Sequence, residues 1–261
     1  MVNISNPTEY SATIPYADVL ILTNDTLLGH ATLRDLSIGP GNNTGLLAKA
    51  VWDPLTLGGK EAADVGREFL SQYISGYNTT LTLRTHKGTI PSQPALGIAL
   101  SKFNINLQTP KLGSSRPPSD GDDGGEERKG PHFIEDAVMH LVTSTASFTL
   151  LSPLRTSTLF VESVDATAFY RQPGADESDP VGHIQYDQPF AVPPVDENGN
   201  GITTPRLPVE WNFGSVGYDA VRHALGGSLK VSAEATVGVR IGKFRETVWY
   251  RGGSIGAKVR L

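Results

Sequence analysis

Cysteine is absent from the 261 residues, which excludes disulfides, thiolate metal sites and cysteine nucleophiles. No apolar run approaches the roughly 18 residues that a membrane-spanning helix needs, so the chain itself does not span a membrane. The chain does not open with a basic segment followed by an apolar one, the pattern of a signal peptide. Positive charge is scarce: 22 Lys and Arg stand against 27 Asp and Glu, a net charge of −5. Phosphate binding needs clustered Lys and Arg, so a nucleic-acid partner is excluded. Charged residues make up 19% and apolar residues 38%, the balance of a globular chain rather than a disordered one. The length suits two domains, each able to bury its own core.

What is present is a repeat. Asn6-Pro7, an alternating strand, Leu28-Gly29-His30 and then Leu36-Ser37-Ile38-Gly39-Pro40 form one copy. Ser152-Pro153, an alternating strand, Val181-Gly182-His183 and then Phe190-Ala191-Val192-Pro193-Pro194 form the second. The two Gly-His pairs lie 183 − 30 = 153 residues apart, a domain-scale period that means tandem domains. Copy one is shorter at its start, with only Val2-Asn3-Ile4-Ser5 before Asn6-Pro7, so the N-terminus reads as clipped from a longer protein.

Period-two alternation predicts strands over 12–22, 30–38, 46–52 and 79–85, and 95–107 to close the first copy. Residues 61–75 place Val65, Phe69, Leu70 and Ile74 at helical spacing and predict a helix with one buried face. The second copy predicts a long strand over 137–151, then strands at 158–170, 182–188, 190–192, 206–213 and 229–241. Two more are expected at 247–250 and 254–261, with a short helix over 218–225. Between the copies, 113–131 reads GSSRPPSDGDDGGEERKGP; with no apolar anchor, it is expected to be a disordered acidic linker. The expected domains are 1–112 and 132–261. Many short strands with turn signals and one helix per copy give a mainly β fold of two sandwiches.

Motifs that carry chemistry fail on their context. Asp196-Glu197-Asn198-Gly199-Asn200-Gly201 opens like a calcium loop, but the twelfth position, which needs a bidentate Glu, is Leu207; a hairpin turn is expected. Gly252-Gly253-Ser254-Ile255-Gly256 matches a nucleophile elbow, yet no acid or histidine follows it; a glycine-softened hairpin is expected. His30 and His183 occupy equivalent positions without metal-ligand spacing, so each is expected to make a structural hydrogen bond. Trp52 and Trp211 correspond between copies and are expected to anchor the two cores. The readings are therefore no catalytic residue, no metal and no cofactor. Four sequons, at Asn3, Asn24, Asn42 and Asn78, are glycosylation candidates if the chain enters the secretory pathway.

Copy two resembles the late-embryogenesis-abundant group-2 domain, also called the WHy domain. The resemblance rests on Ser152-Pro153, where that family has Asn-Pro, and on Ala168-Phe169-Tyr170 and Val181-Gly182-His183. It also rests on Phe190-Ala191-Val192-Pro193-Pro194, the step to Gly226-Gly227, and Val239-Arg240-Ile241-Gly242-Lys243-Phe244. Copy one is similar and keeps Asn6-Pro7. The resemblance implies two tandem seven-stranded immunoglobulin-like β-sandwiches, each with one helix and no catalytic residue. Tandem copies around a polar insert are similar to fungal single-pass membrane proteins with a large lumenal region, one of which acts in terminating autophagy. That implies a non-enzymatic binding or scaffolding region in the vacuolar or secretory-pathway lumen, held by a membrane span outside this chain and engaging a protein partner. The alternatives are a lipid-handling module using an apolar groove of the sandwich, and a stress-protective protein of the cytoplasm.

Overall fold

The computed structural model describes residues 2–109, 133–154, 156–171, 177–196, 198–212 and 228–260. The expected linker 113–131 and the expected helix 218–225 lie outside the described residues. The described chain is mainly β and divides into two compact units. One comprises Met1–Phe69 and Thr79–Thr109; the other comprises Leu70–Asn78 and Pro110–Leu261. The end of the helix expected in copy one thus belongs with the second unit.

The first unit contains β1 (Val2–Asn6), β2 (Ala12–Thr23), β3 (Thr26–Ile38), β4 (Gly41–Leu46) and β5 (Ala48–Trp52). Helix α1 (Pro54–Ile74), β6 (Thr80–Arg84), α2 (Pro94–Leu100) and β7 (Asn104–Gln108) follow. Five strands form an antiparallel sheet in the order β5-β3-β2-β6-β7, and β1 pairs with β4 separately. Asn24 and Asp25 join β2 to β3 with both residues at positive φ, the two-residue geometry that matches strand twist. Alternation puts Ala17 and Leu33 into one core cluster, which Leu36 joins beyond Asp35, a residue at φ 49° that interrupts the alternation; it turns Asp18, Thr32 and Lys49, aligned across three strands, to the opposite face. Proline opens the first turn of α1, the helix is broken at Gly59, whose φ is 71°, and Trp52 packs on Phe69 at 5.6 Å between ring centroids. The strand expected over 95–107 is instead α2 followed by β7. Pro94 sits in the first turn of α2, and the Gln93 carbonyl accepts from the Leu96 and Gly97 amides, a helical start that the short apolar run hid.

The second unit contains β8 (Ile134–His140), β9 (Thr145–Leu150), β10 (Leu159–Tyr170), β11 (Asp179–Tyr186) and β12 (Phe190–Val192). It continues with β13 (Ile202–Thr203), β14 (Leu207–Pro208), β15 (Glu210–Trp211), β16 (Ser228–Ile241) and β17 (Phe244–Arg260). All ten belong to one sheet. Residues 207–211 pair with both ends of it, Leu207 opposite Ala146 on β9 and Trp211 opposite Gly182 on β11. The sheet is thereby closed on itself around an apolar interior. The end of α1 lies along β17: Ser71 Oγ accepts from the Trp249 amide at 3.1 Å, and Ser75 Oγ from the Arg251 amide at 3.0 Å. Serines one helical turn apart match strand amides two residues apart, so the helix satisfies these two backbone donors.

The ladders divide differently from the seven-stranded sandwiches expected, and several strands differ with them. The long strand over 137–151 is the hairpin β8–β9, turned at Ser144, whose φ is 47°. The strands over 247–250 and 254–261 are one strand, β17. Gly252-Gly253-Ser254-Ile255-Gly256 lies inside it rather than in a hairpin, and Ser254, at φ 54°, marks a register shift against β16 between Val231 and Ala233. Over the described part of the strand expected at 206–213, which ends at Asn212, only β14 and β15 are paired.

The repeat is visible in the register. His30 faces Leu20 and His183 faces Thr167. Immediately beyond, Ile21 faces Gly29 and Ala168 faces Gly182, and in both units the register then slips by one residue. Each glycine also faces a tryptophan on its other side, Gly29 with Trp52 and Gly182 with Trp211. A Cβ at Gly29 would lie 2.2 Å from the Val51 carbonyl oxygen, and one at Gly182 would lie 3.1 Å from the Trp211 ring. The Gly-His motif therefore records a close strand approach, not a ligand site.

Candidate functional site

The interior of the second unit is not filled. Taken across β17, β16 and β10, one inward row reads Val248, Val237 and Val164. The next reads Tyr250, Ala235 and Ala166, and continues to Ile184 on β11. The third reads Gly252, Ala233, Ala168 and Gly182. Large side chains thus give way to four small ones within three rows. The ends of the third row are covered by rings, because a Cβ at Gly252 would lie 2.1 Å from Tyr250 Oη and one at Gly182 would touch Trp211. Between those rings the paired alanines leave a cavity of about 100 Å³, bounded elsewhere by Phe148, Leu207 and Val231 and by Leu70 and Ile74 of α1.

The cavity wall is apolar. Its volume is room for roughly eight water-sized spheres, but a buried water needs two to four polar partners, so an apolar void of this kind stays dry and takes apolar guests. Val164, Ala166, Ala168, Ala233 and Ala235 are half-buried, whereas Val161, Val239, Val248 and Ile255 are buried, so the opening lies along the alanine rows. Tyr250 is 2% exposed; its hydroxyl lies near the Ile134 backbone but makes no hydrogen bond of good geometry. Burial pushes that hydroxyl's pKa well up, so it stays neutral.

Other polar clusters hold structure together. Asp18 bridges two histidines in the first unit: His30 Nδ1 donates to Oδ1 at 2.8 Å and His86 Nε2 to Oδ2 at 3.2 Å. The Gly88 amide donates to His86 Nδ1 at 3.1 Å, which leaves the proton on Nε2 to face Asp18. In the second unit His183 Nδ1 stands 3.3 Å from Thr167 Oγ1, and Nε2 stands 3.8 Å from Asp165. The structural hydrogen bond expected of each strand histidine is present. On β10, Glu162 accepts from Arg240 Nε at 3.1 Å and from Arg245 Nε at 2.6 Å. The Asp196 carboxylate accepts from the Asn200 side chain and the Asn198 and Asn200 amides, closing a turn. Among the described residues no group of three or more His, Cys, Asp or Glu could hold a metal ion.

The sequon residues are not brought together as a site. Asn24 is the exposed first residue of the β2–β3 turn, Asn42 is exposed in β4 opposite Ser5, and Asn78 is exposed before β6; Asn3 lies in β1. Trp52 and Trp211 are both half-buried: Trp52 packs on Phe69, and Trp211 packs against the core cluster of Ala146, Ile184, Leu207 and Val209 and also lines the cavity. Sequence reasoning missed Ala166, Ala168, Ala233 and Gly252. A signal existed in the repeat, because Ala166 and Ala168 correspond to Val19 and Ile21 of the first unit.

Two family models match. Residues 1–98 match the Tag1-like fourth LEA-2 like domain, and residues 126–249 match the Tag1-like fifth LEA-2 like domain. No curated protein matches the chain. Among the described residues no helix is long and apolar enough to cross a membrane.

Proposed function

Because the chain carries tandem LEA-2 like domains of a Tag1-like family, we propose that it is a non-enzymatic binding region whose second domain holds the hydrocarbon part of a lipid. The observation that carries this reading is the apolar cavity along the Ala166–Ala235 and Ala168–Ala233 pairs. Each methylene moved from water into such a cavity contributes about 0.8 kcal/mol, and the polar end of the lipid stays at the half-buried alanine rows. The lumenal setting, in the vacuole or secretory pathway, and a role in autophagy belong to the resemblance and are part of the proposal.

The test is native mass spectrometry of the chain made through a eukaryotic secretory pathway. A non-covalent adduct of lipid mass, released by gentle activation and absent from Ala168→Ile, is expected. Absence of any adduct, together with failure of the delipidated chain to bind a fluorescent fatty acid, would refute the reading. The same spectra report covalent glycan mass at Asn24, Asn42 and Asn78, expected if the chain passes through the lumen and missing if it is cytoplasmic.

A further inference from the structure

The first unit's sheet ends in two edge strands that are treated very differently. The β5 edge carries Lys49, the kind of charge that discourages edge-to-edge pairing. The β7 edge, Asn104-Ile105-Asn106-Leu107-Gln108, has no charge, no proline and an unbroken register against β6. All five of its residues are exposed, and Phe103 just before it is 69% exposed. Leu96, Ile98 and Leu100 of α2 are also exposed, so the stretch from Pro94 to Gln108 concentrates apolar surface that monomeric proteins rarely leave open.

The geometry points to a second copy of this chain as the occupant, with β7 pairing antiparallel to its own symmetry mate about Asn106. Among the described residues one side of β7 has no strand partner, and the backbone groups on that side decide the register. Thr109 N donates to Thr79 O at 3.0 Å, so odd-numbered residues of β7 turn toward β6. Asn104, Asn106 and Gln108 therefore present their amides and carbonyls outward. An antiparallel pair centred on Asn106 matches every one of them: Asn106 with Asn106, and Asn104 with Gln108 in both directions, roughly six hydrogen bonds in all. The side chains match as well. Ile105 falls opposite Leu107, so the apolar row that already pairs Leu83 with Ile105 and Leu81 with Leu107 runs on across the two-fold axis. The polar row does likewise, with Asn106 and Asn104 already held by Thr82 and Arg84.

A neutral edge has no charge to match against a basic or acidic partner, and its near-palindromic pattern is self-complementary, as a two-fold interface requires. The six large apolar side chains from Leu96 to Leu107 leave on the order of 500 Å² exposed per copy, against about 800 Å² per partner in a standard interface. The dimer is accordingly weak and concentration-dependent.

Sedimentation of the full chain from about 1 to 100 μM tests this, a range that spans weak self-association. The mass is expected to double across that range. Asn106→Pro removes only an outward amide, which an edge strand tolerates, and should hold the chain monomeric with an unchanged melting curve. Because the chain has no cysteine, Asn106→Cys gives an independent reading. Paired at the axis, the two Cα atoms stand about 5.5 Å apart and oxidise to a covalent dimer, whereas Asn104→Cys, offset four residues along the strand, does not. A chain that stays monomeric at 100 μM overturns the inference. So does a dimer that survives Asn106→Pro, or one that cross-links through position 104 as readily as through 106.

Discussion

Replacing Ala166 by Val and Ala168 by Ile would give β10 the residues that β2 carries at the corresponding positions, Val19 and Ile21. The exchange adds five carbon atoms to the alanine rows. At about 0.8 kcal/mol per fully buried methylene they would contribute about 4 kcal/mol, and about half of that at half-buried positions. An independent route starts from the void: 100 Å³, at about 24 cal/mol per Å³, costs about 2.4 kcal/mol while empty. Both routes give roughly 2 kcal/mol, which for a domain of this size raises the melting temperature by about 4–8 °C. Calorimetry should be run on delipidated protein, since a bound ligand stabilises the parent by mass action and hides the gain. The variant should also lose the lipid adduct. Destabilisation by 1–3 kcal/mol, the usual cost of overpacking, would show that the space is already filled and refute the cavity argument. Retention of the adduct in a stabilised variant would place the ligand elsewhere.

Three further outcomes follow from the same coordinates. Tyr250→Phe removes a buried hydroxyl that makes no good hydrogen bond and should stabilise the second unit by about 1 kcal/mol; a loss of that size in chemical denaturation would mean that the hydroxyl is satisfied. Gly29→Ala forces a Cβ to within 2.2 Å of the Val51 carbonyl and should cost the first unit about 3 kcal/mol, visible as a lowered first transition with the second unmoved; a wild-type melting curve would refute the close approach. Arg245 first, with Arg240, holds the Glu162 carboxyl below the ordinary glutamate value of 4.5. A depressed acid stabilises the fold above that value and loses its contribution as pH falls through the lowered one. Glu162→Gln should therefore melt below the parent at pH 7 and converge with it in more acidic buffer, and a gap that persists at pH 2 would argue against the ion pair.

The fold was legible wherever period two ran uninterrupted. Strands β2, β3, β10 and β16 were readable from alternation, most plainly β16, where Leu229, Val231, Val237 and Val239 alternate with Lys230, Ser232, Thr236 and Arg240. Legibility failed where local signals were ambiguous. The apolar run at 95–107 fits either structure over so short a length, and Pro94 decided for a helix. The hairpin at 137–151 was hidden because its turn needs positive φ at a serine rather than at Gly or Asn. The strands of β17 looked separate because Gly252-Gly253 reads as punctuation, whereas Gly252 is there to make room for the Tyr250 ring. The role of Ser71 and Ser75 was out of reach altogether, since nothing in a helix's own pattern tells which sheet edge it will cap.

The candidate site was harder to see because it is made by subtraction. Both units share the cross-strand frame of glycine, histidine and tryptophan, and in both an aspartate stands two residues before the histidine's partner on the neighbouring strand, Asp18 and Asp165. The frame fixes strand spacing, and the side chains placed on it decide what the interior holds. In the first unit Val19 and Ile21 occupy positions that Ala166 and Ala168 hold in the second. Alanine in a strand has no packing advantage and low β-propensity, so two alanine pairs side by side cost stability that the neighbouring valine pair shows to be recoverable. The fold gives up that packing in one copy and keeps larger side chains at the same positions in the other, which is the asymmetry the proposed lipid-holding role requires.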